Sequence, residues 1–252
     1  MDKNERCEPP IKYPIKPPGP PKVWNIVEIK LKNAETPIRF TIQEIPEDRY
    51  EEAIKHMCKY FIADEPMCKC MNGINDPEYV KSFEQIWRTL INHGLSIAAF
   101  TEDPNGGKPI IAGLNVLTLS FKDEKFNSDE IKSKGGQVVF DAVLHLNKEV
   151  NVFERYGIDK YMTAFGLSVN PSYRGAALGA HLLNARVNVG REYNIPVTIT
   201  AFTSPISQKL AERCGFETLI EKNYDEYVDE KGNLQFPGIT AKSMKLMGKR
   251  LL

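Results

Sequence analysis

A run of small residues with a single arginine, residues 168–180, has the composition of a loop that binds an anion. Small side chains let backbone N–H groups turn toward a ligand, and the start of the next helix adds the positive end of its dipole. The run lacks the Gly-Lys-Ser/Thr end of a Walker loop and the G-x-G-x-x-G fingerprint of a dinucleotide site. These residues predict a phosphate-binding loop between a strand and a helix. An ordinary strand-to-helix turn is the alternative.

A carboxylate is the second chemical candidate, in the sequence Asp64-Glu65-Pro66 at the end of a predicted helix. Because proline disfavours helical backbone angles at the residue before it, we expect Glu65 to be extended. Phe61 and Met67 flank it and can remove it partly from water. A partly desolvated carboxylate can take a proton from an amine near neutral pH. The alternative is a solvated Asp-Glu pair that ends a helix.

Two hydroxyl groups, those of Thr203 and Ser207, stand at the start of a later predicted helix. Taken as residues alone, they indicate helix capping, which Thr203 or Ser204 can provide equally well. His93 directly precedes Gly94 at the end of another helix and is interpreted as a C-terminal cap.

Composition limits the classes of function. Lysine plus arginine equals aspartate plus glutamate at 33 each, so no overall field attracts nucleic acid or an anionic membrane. No stretch approaches the ~18 consecutive apolar residues of a membrane span, and no apolar signal core begins the chain, so we expect a cytoplasmic protein. The five cysteines do not suggest a disulfide framework. Cys68-Lys69-Cys70 has the wrong spacing for a metal pair, so we expect no metal.

The order of elements predicts a single α/β domain after an arm. Seven prolines in the first 21 residues exclude helix and central strand there, so we assign residues 1–36 to a proline-rich arm and residues 37–252 to the domain. Alternation of apolar and polar residues predicts a first strand at 38–45, and turn residues at 103–107 predict a hairpin. Further strands are predicted at 161–167, 197–202 and 238–247, and helices at 46–62, 77–91, 138–147 and 182–189.

The anion loop resembles the acyl-CoA pyrophosphate loop of the GNAT superfamily of N-acetyltransferases, whose pattern is Arg or Gln, two residues, Gly, one residue, Gly or Ala. The stretch 174–179 matches this pattern with one departure, since Ala177 occupies the first glycine position. Ala177 joins the loop to the helix and Leu178 follows without a break, so we expect Ala177 to be helical. The resemblance implies a mixed, mostly antiparallel central sheet with splayed fourth and fifth strands, flanked by helices.

The stretch Tyr60–Met67 resembles the F-F-x-x-D-E-P-L sequence of insect-type arylalkylamine N-acetyltransferases, a GNAT branch. That resemblance implies that Glu65 is the catalytic base and that Thr203 and Ser207 are the catalytic hydroxyls. It also implies acetyl-CoA as the co-substrate, held between the splayed strands. The implied cofactor-binding residues are Leu167, Ser168, Val169, Arg174, Gly175, Ala176, Ala177, Leu178, Gly179, Ala180 and Ser207.

Transfer of the acetyl group to an arylalkylamine such as dopamine, serotonin, tryptamine or octopamine is the implied reaction, by direct attack of the amine. A polyamine, agmatine or another non-aromatic amine is the nearest alternative acceptor. A CoA-binding module without catalysis is the alternative from another class. We expect small-molecule partners, no nucleic acid or membrane, and a monomer. Cys214, at a helix end beside Gly215, is expected to be structural.

Overall fold

A central eight-stranded sheet organises the structure, a computed structural model that describes residues 14–31, 35–123 and 131–252. The strands are β1 Val23–Ile29, β2 Ile38–Glu44, β3 Ile97–Thr101, β4 Ile110–Phe121, β5 Lys160–Val169, β6 Val197–Phe202, β7 Glu217–Asn223 and β8 Ser243–Arg250. Their order in the sheet is β1-β2-β3-β4-β5-β6-β8-β7. All neighbours are antiparallel except β5 and β6, which are parallel. The mixed, mostly antiparallel sheet is therefore confirmed.

Helices flank both faces of this sheet. They are α1 Tyr50–His56, α2 Ile62–Asp64, α3 Pro66–Cys70, α4 Pro77–Ile91, α5 Lys134–Lys148, α6 Val152–Tyr156, α7 Leu178–Glu192 and α8 Pro205–Arg213. A π-helical turn, Met57–Phe61, connects α1 to α2. The long helices begin where the sequence provides caps; the carboxylate of Asp76, for example, accepts hydrogen bonds from the main-chain N–H groups of Glu78 and Tyr79.

Alternating residues of the strands divide the core into two layers. Val116 of β4 belongs to the layer under α1, α4 and α5, whereas the adjacent Leu117 belongs to the layer under α7. Successive side chains of a strand point to opposite faces, so the near-continuous apolar sequence of β4 serves both layers. The middle strands are consequently buried on both sides and form a rigid base for the site.

The parallel strands β5 and β6 separate along their length. Their ladder contains a single register pair, Met162 with Thr198, while β6 pairs over its whole length with β8. Beyond Thr198 a gap opens between β5 and β6. The predicted splay of the fourth and fifth strands is confirmed, and these strands are the fifth and sixth here because β1 precedes them.

A β-bulge interrupts β5 next to the gap. Phe165 and Gly166 together face the single residue Val116 of β4, because the register moves from Asn115–Leu167 to Leu117–Ala164. Gly166 has a φ of +111°, and a Cβ built there would lie 2.6 Å from Met57 Cε. The positive φ favours glycine at this position, and the close approach of Met57 adds to that preference.

Sequence reasoning missed the strand β1. Val23–Ile29 lies within the segment 1–36 assigned to the arm, yet it pairs antiparallel with β2 and forms one edge of the sheet. The prolines that suggested an arm end at residue 21, directly before this strand. Prolines 9 and 10 and the rest of residues 1–13 lie outside the described residues. Ile15 N–H donates to His93 O at 3.0 Å, which ties the following segment to the end of α4.

None of the helices within the described residues is long and apolar enough to cross a membrane.

Candidate active site

A single large cavity follows β5 and enters the gap between β5 and β6. Its volume is about 1730 Å³, above the roughly 300–1,000 Å³ of an ordinary ligand pocket. Glu65, Thr203 and Ser207 all line it. Of the predicted cofactor-binding residues, these also line it: Leu167, Ser168, Val169, Arg174, Gly175, Ala177, Leu178 and Gly179. Ala176 and Ala180 are not part of the wall.

The anion loop leaves β5 through a tight 3₁₀ turn, Pro171–Tyr173, which Asn170 caps through its side-chain oxygen. Gly175 then has a φ of +84°. The helix α7 begins at Leu178 with its N-terminus beside the cavity. Main-chain N–H groups and the positive end of α7 therefore surround a space that suits a phosphate.

The expectation that Ala177 is helical is wrong. Ala177 has φ +59° and ψ +15°, the left-handed conformation, and is the last residue before α7. The chain has to turn at both Gly175 and Ala177 so that the carbonyl of Ala177 can accept the first bonds of the helix, from Ala180 N at 2.8 Å and His181 N at 3.2 Å. A residue with a Cβ costs about 1–2 kcal/mol in this conformation. The loop is thus strained at the position where the GNAT pattern has glycine.

Arg174 spans the two halves of the site. Its Nη2 lies 2.5 Å from Asp64 Oδ2, and its Nε donates to Val169 O at 2.8 Å. The pair joins the anion loop to the segment that carries Glu65. A phosphate that binds the guanidinium would therefore share it with Asp64.

Glu65 is the buried carboxylate of the cavity, with only 8% of its surface exposed. It is extended, at φ −66° and ψ 129°, as its position before Pro66 predicts. Its Oε2 accepts the main-chain N–H of Cys68 at 2.6 Å, while Oε1 has no hydrogen-bond partner among the described residues. One oxygen is fixed by this bond, and the other is buried with an unused acceptor position, which suits a group that takes up a proton.

The two predicted hydroxyl residues lie at the start of α8. Ser204 and Ser207 form a capping box, in which Ser207 N donates to Ser204 Oγ at 3.1 Å and Ser204 N donates to Ser207 Oγ at 3.2 Å. Tyr224 donates to the carbonyl of Thr203 at 2.9 Å. Burial, followed by the charge of Glu65, raises the pKa of Tyr224, so it remains protonated. Capping thus explains the position of Ser207, which also faces the cavity.

Aromatic side chains form the cavity wall beyond Glu65. Phe61 packs edge-on against Trp87 at 5.8 Å between ring centroids, and Phe140 stacks on Phe165 at 5.9 Å. Phe140 of α5 and Phe153 of α6 line the cavity and also pack in the core. Asp64 and Glu65 are the only acidic residues in the wall formed by the described residues.

Sequence reasoning missed a buried histidine that contacts β5. His56 Nε2 lies 3.2 Å from Ser168 Oγ, although the two residues are 112 positions apart. Burial lowers the pKa of His56 to about 4, so the ring is neutral at neutral pH. His93, predicted as a helix cap, instead places Nδ1 2.6 Å from Thr118 Oγ1, and both residues line the cavity. No local sequence signal indicates either long-range contact.

The cysteines lie in separate environments. Cys58, Cys68, Cys70 and Cys214 are all free, and burial raises the pKa of the Cys68 and Cys214 thiols. No group of three or more His, Cys, Asp or Glu side chains that could hold a metal occurs in the described part of the chain.

Comparison with known proteins gives two kinds of result. No model of a protein family matches the chain, and no curated protein is significantly similar to it. Solved structures do match. The chain is 32% identical to a putative arylalkylamine N-acetyltransferase 7 from the yellow fever mosquito Aedes aegypti, over 92% of this chain and 96% of that one, with a TM-score of 0.84.

Two further structures show the same architecture. Arylalkylamine N-acetyltransferase 2 from Aedes aegypti is 25% identical over 84% of this chain and 99% of its own, with a TM-score of 0.75. A Drosophila melanogaster polyamine N-acetyltransferase that forms N-acetylagmatine matches 84% of this chain and 99% of its own, with 16% identity and a TM-score of 0.70. At that identity the match shows only that the two proteins share a fold. The splayed sheet, the loop at its mouth and these matches together show that the chain belongs to the GNAT superfamily, within the family of the insect arylalkylamine N-acetyltransferases.

Proposed function

We propose that the protein transfers the acetyl group of acetyl-CoA to the primary amine of an arylalkylamine of the dopamine, serotonin, tryptamine or octopamine type, with Glu65 as the general base. The observation that carries this proposal is the half-satisfied carboxylate of Glu65, buried in the wall of a cavity that also contains a phosphate-binding loop.

The need for a base follows from the chemistry of the acceptor. A primary amine with a pKa of about 10 is mostly ammonium at neutral pH, and the ammonium form cannot attack a thioester. Oε1 of Glu65 takes the proton, through an ordered water molecule. The neutral amine then attacks the acetyl carbonyl directly and forms the C–N bond, and the C–S bond breaks. The proton that the amide nitrogen loses goes to the leaving thiolate, so the products are the N-acetyl amine and the free thiol of CoA.

Other residues position the co-substrate. The pyrophosphate binds the loop 174–180 and the N-terminus of α7, and the pantetheine arm lies between β5 and β6. Main-chain groups of β5 polarise the acetyl carbonyl. The hydroxyl of Ser207, which donates to the carbonyl of Ser204 at 2.9 Å, rotates to donate to the leaving sulfur, with Thr203 beside it. The chain uses no acyl-cysteine, since the proposed direct attack needs no covalent intermediate.

The cavity wall favours an aryl acceptor over a dication. Phe61, Trp87 and Phe140 offer ring faces and edges to an aromatic group. Polyamines and agmatine carry a second positive charge, which needs a second carboxylate when it is buried. Among the described residues of the wall that carboxylate is missing, because Asp64 is paired with Arg174 and Glu65 serves the reacting amine.

The test is release of free CoA thiol from acetyl-CoA with a panel of amines. Tryptamine, dopamine and octopamine form one arm; agmatine, putrescine and spermidine form the other. We expect kcat/KM for the aryl arm to exceed that for the dications by about tenfold or more, as a buried unpaired charge costs at least that factor. Faster turnover of the dications would establish the non-aromatic alternative. Binding of acetyl-CoA without turnover of any amine would establish a non-catalytic module.

A further inference from the structure

Arg186 of α7 is a buried cation without a carboxylate partner among the described residues. Only 1% of its surface is exposed, and burial lowers its pKa to about 9. All of its hydrogen bonds go to neutral side chains: Nε donates to Asn115 Oδ1 at 2.9 Å, and Nη1 donates to Thr198 Oγ1 at 3.1 Å and Thr200 Oγ1 at 2.9 Å. Burying a charge in this way is costly, and an apolar side chain of similar size would pack at lower cost.

The contacts of Arg186 bridge the splayed strands. Asn115 belongs to β4, Thr198 and Thr200 belong to β6, and β5 lies between these two strands. The ladder between β5 and β6 ends at Thr198, so Thr200 lies where the strands have separated. The planar guanidinium therefore fixes the distance of β6 from β4 at the gap, and both Arg186 and Thr200 form part of the cavity wall.

The same guanidinium fixes the orientation of an amide. A guanidinium can only donate, so Oδ1 of Asn115 faces Arg186 and Nδ2 faces the other way. Nδ2 donates to the carbonyl of Gly166 at 2.8 Å. From the opposite face of the sheet, Trp87 Nε1 donates to the carbonyl of Phe165 at 2.8 Å. Both carbonyls of the β5 bulge are thus held by side chains rather than by the ladder.

We propose that Arg186, acting through Asn115, is a positioning residue that sets the orientation of the Gly166 peptide and the width of the β5–β6 gap. A bulge takes main-chain groups out of the ladder. Because side chains hold the bulge carbonyls of β5, its main-chain N–H groups are the ones that a ligand in the gap can use. On the proposed function, that ligand is the acetyl thioester. The contacts from Asn115 and Arg186 place the bulge so that its main chain meets the acetyl carbonyl.

The first test is Asn115→Leu, with Gln208→Leu as the matched control. Both residues are buried carboxamides that donate to main-chain carbonyls, and neither lines the cavity. Asn115 bonds the bulge carbonyl of Gly166, whereas Gln208 bonds Phe202 O and Ser243 O, on the side of β6 away from β5. We expect N115L to lower kcat by about tenfold to hundredfold, because displacement of a main-chain donor from the acetyl carbonyl costs a factor of that order. The KM for acetyl-CoA should stay within about threefold of the wild-type value. Q208L should lower thermal stability and leave kcat within about twofold. Equal, small changes of kcat in both variants would overturn the proposal.

A second readout does not depend on the amine. Calorimetry compares the affinities for acetyl-CoA and for CoA, whose ratio reports the contact with the acetyl carbonyl. We expect N115L to shift that ratio toward CoA and Q208L to leave it unchanged; an unshifted ratio in N115L counts against the proposal even if no amine is turned over. If N115L does not fold, Thr200→Val replaces it, since this change removes one hydroxyl and keeps the shape of the side chain. The same two quantities are then measured: kcat and the ratio of the affinities for acetyl-CoA and CoA. A kcat and an affinity ratio equal to wild type in T200V would then overturn it.

Discussion

Oε2 of Glu65 accepts the main-chain N–H of Cys68 at 2.6 Å and so caps α3, while Oε1 of the same carboxylate has no partner among the described residues. One side chain thus combines a capping oxygen with an oxygen that is proposed to accept a proton.

Glu65→Gln separates these roles, because the amide keeps an acceptor oxygen for Cys68 but cannot take a proton. We expect E65Q to lower kcat/KM by about 10²–10⁴ and to leave acetyl-CoA affinity nearly intact. The acidic limb of the pH–rate profile should disappear. Neutral-pH activity within a few-fold of wild type would show that Glu65 is not the base.

Glu65→Ala should have the same kinetic effect and a lower thermal stability as well, because it also removes the cap, which is worth about 0.5–2 kcal/mol. Differential scanning calorimetry of both variants measures this difference. Equal melting temperatures for E65Q and E65A would contradict the capping role.

Arg174→Ala should act on the co-substrate. Loss of a charge-assisted phosphate contact, worth about 1.5–3 kcal/mol, weakens acetyl-CoA binding about 10- to 150-fold. Arg88→Ala is the matched control, since Arg88 is equally exposed at 42% and is also ion-paired but does not line the cavity. Titration calorimetry that finds the same affinity in both variants would remove Arg174 from the site.

Asp64→Asn tests the competition for the same guanidinium. Because Asp64 holds Arg174 at 2.5 Å, removal of the carboxylate charge should strengthen acetyl-CoA binding, by a factor of about two to five for a half-exposed pair. The measurement is the dissociation constant at low and at physiological ionic strength. Weaker binding in D64N would mean that the pair holds Arg174 in place for the phosphate rather than competing with it.

Ala177→Gly should stabilise the protein. Glycine relieves about 1 kcal/mol of left-handed strain, which raises Tm by about 2–4 °C in a chain of this size. Ala180→Gly, three residues further in the first turn of α7, should lower Tm by a similar amount, because glycine is a poor helix former. We expect acetyl-CoA affinity to stay within a few-fold in A177G. A lower Tm in A177G would mean that the left-handed conformation carries no strain.

His56 makes stability depend on pH. Its folded pKa of about 4 lies below the unfolded value of about 6.5, so the unfolded state binds the proton more readily. The contribution of neutral His56 to the free energy of unfolding is fully present above pH ~6.5. Up to about 3 kcal/mol of it is lost as the pH falls toward 4. His56→Gln should therefore flatten the decline of unfolding free energy between pH 6.5 and 4. The exposed His145→Gln is the control, and equal pH curves for the two variants would contradict the assignment.

The sequence alone indicated most of the elements and several of the residues that line the cavity. Alternation and capping residues placed the strands and helices, Pro66 fixed the extended backbone of Glu65, and the small residues 168–180 identified the loop. These are local effects, set by each residue and its near neighbours. Where a local rule failed, as at Ala177, the connection between β5 and α7 overrode the preference of alanine for a helix.

Tertiary structure decided which distant groups meet. The contacts of His56 with Ser168, Asp64 with Arg174 and Arg186 with Asn115 join residues 71 to 112 positions apart. Nothing in the local sequence encodes such pairs, because they depend on sheet order and on the faces that the helices cover. The edge strand β1 escaped detection for the same reason: its pairing with β2 gives it a place in the sheet. The candidate side chains were readable in the chain, whereas their arrangement around the cavity came from packing.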